Sequence, residues 1–151
     1  VALPDLYTNA QLEIASGGAA RLLQMSKAPT AASQVYSDFL DAVRRAAEAD
    51  VRSIIGVSYV LSDATLNAAP LISELALTVA VYWAYWKGTG GQAVPDEVKG
   101  AYDNARRALG ELRDGPRMPG TETEATGAHG IGTVIIDDPT RILRRNMRGF
   151  C

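Results

Sequence analysis

Few residues in this chain have the type and setting to do chemistry. His129 is the single histidine and lies between Ala128 and Gly130, with no carboxylate or nucleophile beside it in sequence. A general base needs such a group within hydrogen-bond reach, so His129 reads as a loop residue. Asp137-Asp138 carries oxygens of the kind that bind Mg²⁺, but nothing else completes a ligand set. Ahead of Pro139 the pair is better explained as a turn. Gly88-Thr89-Gly90-Gly91 has the composition of a phosphate loop, yet it follows a helical stretch and lacks the required lysine. Cys151 is the only thiol, which leaves no internal disulfide and no Cys/His zinc spacing. The expectation is a protein without catalytic residues, metal or cofactor.

Two groups of side chains remain. Tyr82, Trp83, Tyr85 and Trp86 could stack nucleic-acid bases. They sit on the most apolar stretch of the chain, however, which favours core or subunit-interface packing. The pairing exceeds what a small bundle easily buries, so Trp83 or Trp86 is expected to be partly exposed on the lone subunit. Arg141, Arg144, Arg145 and Arg148 form the other group, interleaved with Ile142, Leu143, Met147 and Phe150. A helix would place the arginines on one face, where they meet phosphates or the acids of a partner protein. Fifteen basic residues against seventeen acidic give a net charge of −2. Phosphate binders usually show a basic excess, so a protein partner is preferred.

The elements that position these groups are helical. Pro70 to Lys87 (PLISELALTVAVYWAYWK) is apolar around nearly its whole circumference and must be enclosed by other helices. Pro70 suits the first helical position, and Gly88 with the glycines after it supplies the stop. The run is shorter than the roughly 20 apolar residues of a membrane span and contains Glu74, so no membrane association is expected. A chain of 151 residues suits one domain, and Pro70–Lys87 is expected to be its central helix.

Around it, Thr8-Asn9-Ala10-Gln11 has capping-box spacing and opens a short helix with Leu12 and Ile14 apolar, ending at Gly17-Gly18. Ala19 to Met25 forms another short piece, broken by the stretch around Pro29. From Gln34 to Ile55, Val35, Phe39, Val43, Ala46 or Ala47, Val51, Ile54 and Ile55 recur at helical steps. Asp38, Asp41, Arg44, Arg45, Glu48 and Arg52 fill a solvated face, with Asp41–Arg45 and Glu48–Arg52 at i, i+4. Val57 to Ala69 reads as a linker. Pro95-Asp96-Glu97 opens a last helix whose apolar positions are Val98, Ala101, Tyr102, Ala105, Ala108, Leu109 and Leu112, running out near Gly115-Pro116.

Composition then changes. Residues 117–132 are rich in Gly, Thr and Glu and read as a linker. Thr133, Val134, Ile135 and Ile136 are β-prone, yet no second strand of similar strength exists to pair with them. Together with the apolar and basic residues 139–150, they are expected to pack on another subunit or protein. The fold class expected is all-α, a small bundle of four to five helices around a central apolar helix. Residues 1–115 would be the body and 116–151 an extended C-terminal arm with a short β-strand. The chain opens at Val1, as after removal of an initiator methionine, and shows no targeting segment. With its single cysteine it suits a reducing compartment.

The order of these pieces resembles the head–tail adaptor (head-completion or connector) proteins of long-tailed phages and phage-like gene-transfer particles, in particular the phage Mu-type branch. Tyr7-Thr8-Asn9-Ala10-Gln11-Leu12 is similar to the family's opening tyrosine–threonine and short helix. The helix to Ile55 closing on Gly56-Val57-Ser58-Tyr59-Val60-Leu61 resembles its long helix ending in tyrosine–x–leucine, although Ser58 stands where the family has an arginine. Pro70-Leu71-Ile72 through Ala80-Val81-Tyr82 is similar to its proline-led apolar helix, here with a heavier Trp83/Trp86 pair. Tyr102, Ala105, Leu109, Leu112 and Gly115 match the spacing of the next helix, and Gly149-Phe150 the arginine-rich ending.

The resemblance implies a structural virion protein, assembled in the host cytoplasm and located at the head–tail connector. Such adaptors form a ring with copies of themselves, commonly a dodecamer, beneath the portal. The ring extends the DNA channel without sequence-specific DNA binding and docks a stopper or tail-terminator protein. On this reading Val134, Ile135, Ile136, Arg141, Ile142, Leu143, Arg144, Arg145, Met147, Arg148 and Phe150 bind the portal or a neighbouring subunit, and Trp83 and Trp86 line a subunit interface. The alternative is a small helical nucleic-acid-binding module using the four arginines.

Overall fold

Pro70 begins the helix on which all the others pack. The computed structural model describes residues 5–56, 58–59 and 61–115, with only the backbone at positions 64 and 68. Within them the chain is all-α, with six helices: α1 (Asn9–Ala15), α2 (Ala19–Ser26), α3 (Gln34–Ile55), α4 (Asp63–Ala68), α5 (Pro70–Gly88) and α6 (Asp96–Asp114). The expected strand around Val134–Ile136 lies outside the described residues, as does the whole of 116–151.

α5 is in contact with each of the other helices, most extensively with α3 and α6, which also pack on one another. Its fully buried Ala76, Ala80 and Ala84 recur every four residues, and small side chains on one stripe let a neighbour come close. Ile72 and Val79 fill the space beside them. α1 and α2, seven and eight residues long, are too short to be stable alone in water. Leu12 and Leu22 are wholly buried, and such burial stabilises by about 1.5–3 kcal/mol per leucine. The capping box at Thr8 forms as its spacing predicts: its hydroxyl accepts from Gln11 N at 3.2 Å, and Gln11 Oε1 accepts from Thr8 N at 2.8 Å.

Several expectations need correction. The buried stripe of α3 is Tyr36, Leu40, Val43, Ala47, Val51 and Ile55, with Val35 left half exposed at 52%. Tyr36 goes inward because its hydroxyl reaches Glu13 Oε1 at 3.1 Å on α1. Ile14 is 81% exposed, since Leu12 alone of the two points at the core. Part of the charged face of α3 is not simply solvated. Arg44 holds Asp5 at 3.2 Å and Asn9 at 2.6 Å, and Glu48 accepts the backbone N–H of Leu6 at 3.3 Å. These contacts tie down the segment ahead of α1. Glu48 also meets Arg52 at 4.0 Å.

The supposed linker before Pro70 contains α4, started by Ser62, whose hydroxyl accepts from Thr65 N at 3.2 Å. Gly88 is the last helical residue of α5 and not its stop. A Cβ there would sit 2.8 Å from Met25 Cβ, so glycine is needed for α2 to approach. The turn is made by Gly90 and Gly91, at φ +65° and +84°, with Gly91 N donating to Trp86 O at 2.7 Å.

Candidate interaction surface

The late turns of α5 carry the aromatic group, and each ring takes a different position. Tyr85 turns inward to 9% exposure, with the Arg21 guanidinium 5.2 Å from its ring centre. Tyr82, Trp83 and Trp86 lie on another side, where they meet α6 and the C-terminal part of α3. Tyr82 stacks on Tyr102 of α6, ring centres 3.9 Å apart and planes 14° apart. Trp83 meets Tyr82 edge-on at 5.8 Å, and Trp86 meets Trp83 edge-on at 5.7 Å. The four rings form one continuous ladder in the order Tyr102, Tyr82, Trp83, Trp86. Trp86 closes it at 40% exposure, and Gly91 lies so near that a Cβ would come within 3.0 Å of the indole.

Asp50 of α3 anchors the ladder from beneath. Its Oδ2 accepts from Tyr102 OH at 2.7 Å and from Trp83 Nε1 at 3.4 Å. Its Oδ1 pairs with Arg106 Nε at 3.5 Å. Burial pushes the Tyr102 phenol up from 10.0 to about 12, and the hydrogen bond to Asp50 and that group's charge add to the effect, with Arg106 opposing. Tyr102 is therefore a neutral donor at ordinary pH. Two cations edge the face: Arg106, 5.6 Å from the Tyr102 ring centre, and Lys87, 6.0 Å from that of Trp83. A half-covered aromatic face with cations at its edge is the composition that protein interfaces favour.

A second concavity opens elsewhere on α5. Ala15 of α1, Leu77, Thr78 and Val81 of α5, and Glu97, Val98 and Ala101 of α6 line a groove of about 290 Å³. At roughly 100° per helical residue, Leu77, Thr78 and Val81 lie well around α5 from Trp83 and Trp86.

Trp83 and Trp86 are thus brought together as the spacing suggests. The other expected contact residues (Val134, Ile135, Ile136, Arg141, Ile142, Leu143, Arg144, Arg145, Met147, Arg148 and Phe150) lie outside the described residues, as do His129, Asp137, Asp138 and Cys151. Asp50, Tyr102 and Arg106 were missed as parts of one cluster. Asp50 is 33 positions from Trp83 and 52 from Tyr102. No local pattern joins positions so far apart. Among the described residues no three of His, Cys, Asp or Glu gather as a metal ion would need, and no helix is long and apolar enough to cross a membrane. No protein-family model, curated protein or solved structure matches the chain.

Proposed function

We propose that this chain is a ring-forming head-to-tail adaptor of a long-tailed phage or phage-like gene-transfer particle. It binds beneath the portal, extends the DNA channel and offers a docking surface to the stopper or tail terminator. The observation that carries the reading is the aromatic ladder ending in Trp86 at 40% exposure; Ile14, Val35 and Leu71 are the other exposed large apolar side chains among the described residues, and none of them belongs to an aromatic cluster. In a ring each subunit shows two different patches, one to each neighbour. The ladder has the tryptophan, tyrosine and arginine content from which such a patch draws its binding energy. The spaced hydrophobic pattern of the sequence supports the same assignment, and the apolar and basic residues after position 132 supply the arm.

The test is removal of residues 133–151. The shortened chain should keep its helical content by circular dichroism and fail to join filled capsids to tails. Tailed, infectious particles assembled with the shortened chain would refute the role given to the arm. Duplex DNA binding by the isolated chain that drops steeply between two salt concentrations would instead favour the arginine-based nucleic-acid module.

A further inference from the structure

The groove between α1, α5 and α6 has no part in the ladder, and its lining is chemically simple. Leu77, Val81, Val98 and Ala101 make it apolar, while Glu97 puts one acid at its edge. Glu74 lies one turn before Thr78 on α5, and Asp96 directly precedes Glu97; both are exposed. About 290 Å³ is at the low end for a small-molecule site, and suits a few side chains of a polypeptide.

We infer that this groove is the seat of the chain's own segment 143–150, held in cis against α5 and α6. Three observations select this occupant. Leu143, Met147 and Phe150 stand at i, i+4 and i+7, the anchor spacing of an amphipathic helix in a hydrophobic groove. On the same helical wheel Arg141, Arg145 and Arg148 fall on the solvent side, while Arg144, about 100° from Leu143, flanks the anchors and reaches for the acidic edge at Glu97. The reach also matches. α6 ends at Asp114, so from Ala101 the groove is about 20 Å back along its axis, at 1.5 Å per residue. The connecting residues 115–142, rich in Gly, Thr and Glu over 117–132, have a root-mean-square span of about 26–32 Å as a flexible coil. A linker whose span fits its target gives an effective concentration on the order of millimolar. A second copy of the chain at micromolar concentration cannot compete with that. The inference concerns the free chain and leaves the ladder untouched; under the adaptor reading the same residues leave the groove when the arm docks on the portal or a neighbouring subunit.

Cys151, the only thiol, lies next to Phe150 and takes a nitroxide label without further change. In the full-length chain at low concentration, the label should strongly attenuate the backbone amide signals of Ala15, Thr78 and Ala101. The attenuation should not change on dilution. Leu143→Glu with Met147→Glu should restore these signals and leave the circular dichroism unchanged. Glu97→Lys should lower the docked population about two- to fivefold, the size expected of one exposed ion pair. Groove amides untouched by the label would overturn the proposal. So would attenuation seen only when labelled chains are mixed with separate isotope-enriched ones, which would place a second copy in the groove. Ring formation is read separately, by electron microscopy, so failure here and failure of the adaptor reading are distinguishable.

Discussion

At Tyr7 the body buries a hydroxyl without using it. The ring is 3% exposed, and its OH finds no hydrogen-bond partner among the described residues. A buried, unpaired polar group costs about 1–3 kcal/mol, so removing it without changing the ring removes a cost and no bond. Tyr7→Phe should therefore leave stability to urea unchanged or raise it by up to about 1 kcal/mol; a clear loss would mean that the hydroxyl has a partner. Tyr102 makes a contrast, because its hydroxyl is used. Its pKa is raised from 10.0 to about 12, burial first and Asp50 second. The folded state thus favours the neutral phenol. Its contribution is fully present below pH 10.0 and is lost as pH rises through about 12. Tyr7 and Tyr36 are shifted in the same direction, chiefly by burial. Denaturant unfolding at a series of pH values should show stability declining across that alkaline window. In Tyr102→Phe, already weakened by loss of the bond to Asp50, the decline should be shallower. An equally steep decline would assign it to other groups.

Among the elements, α5 and α6 use glycine in opposite ways. A Cβ on Gly88 would lie 2.8 Å from Met25 Cβ and 3.2 Å from Met25 O, atoms that no rotamer change can move. Gly88→Ala should cost about 1–3 kcal/mol in thermal unfolding, and Met25→Ala should not rescue it because the clashing Cβ remains. Gly110, inside α6, has nothing within 4 Å of the same position. Gly110→Ala should stabilise by about 0.5–1 kcal/mol through helix propensity alone. Equal effects of the two substitutions would remove the distinction between close approach and exposed helix. The same elements show what the sequence discloses and where it stops. Helices α3 and α6 were legible because 22 and 19 residues give a periodic pattern room to repeat, and α5 because a long apolar run stands between Pro70 and a group of glycines. The phase of α3 at its start was not, because Val35 and Tyr36 are adjacent and only the contact from Tyr36 to Glu13 decides between them. α4 spans six residues, too few to show a period, and only the Ser62 cap announced it. The aromatic cluster was half legible: the α5 residues are neighbours in sequence, while Asp50 and Tyr102 reach them only through tertiary packing.

For the whole molecule, the decisive question is whether the ladder is a finished surface or half of one. Trp83 donates to Asp50 and is flanked by Tyr82 and Trp86, so most of its partners are already within the body. Trp86 has one ring neighbour and Gly91 behind it, and keeps 40% of its surface open. If the ladder is one patch of a closed ring, assembly should act on these two indoles unequally. Variants with one tryptophan each, Trp83→Phe and Trp86→Phe, separate their fluorescence. In the isolated chain a collisional quencher should reach Trp86 far more readily than Trp83. On ring assembly the accessibility of Trp86 should fall towards that of Trp83, while Trp83 changes little. Trp86→Ala should lower body stability only modestly. It should weaken association by about 2 kcal/mol or more per contact, as the central tryptophans of interfaces do. The two measurements constrain one another. If Trp86 stays equally open in assembled particles, or if Trp86→Ala assembles normally, the ladder faces solvent or a different partner, and the subunit contact must be sought on another face.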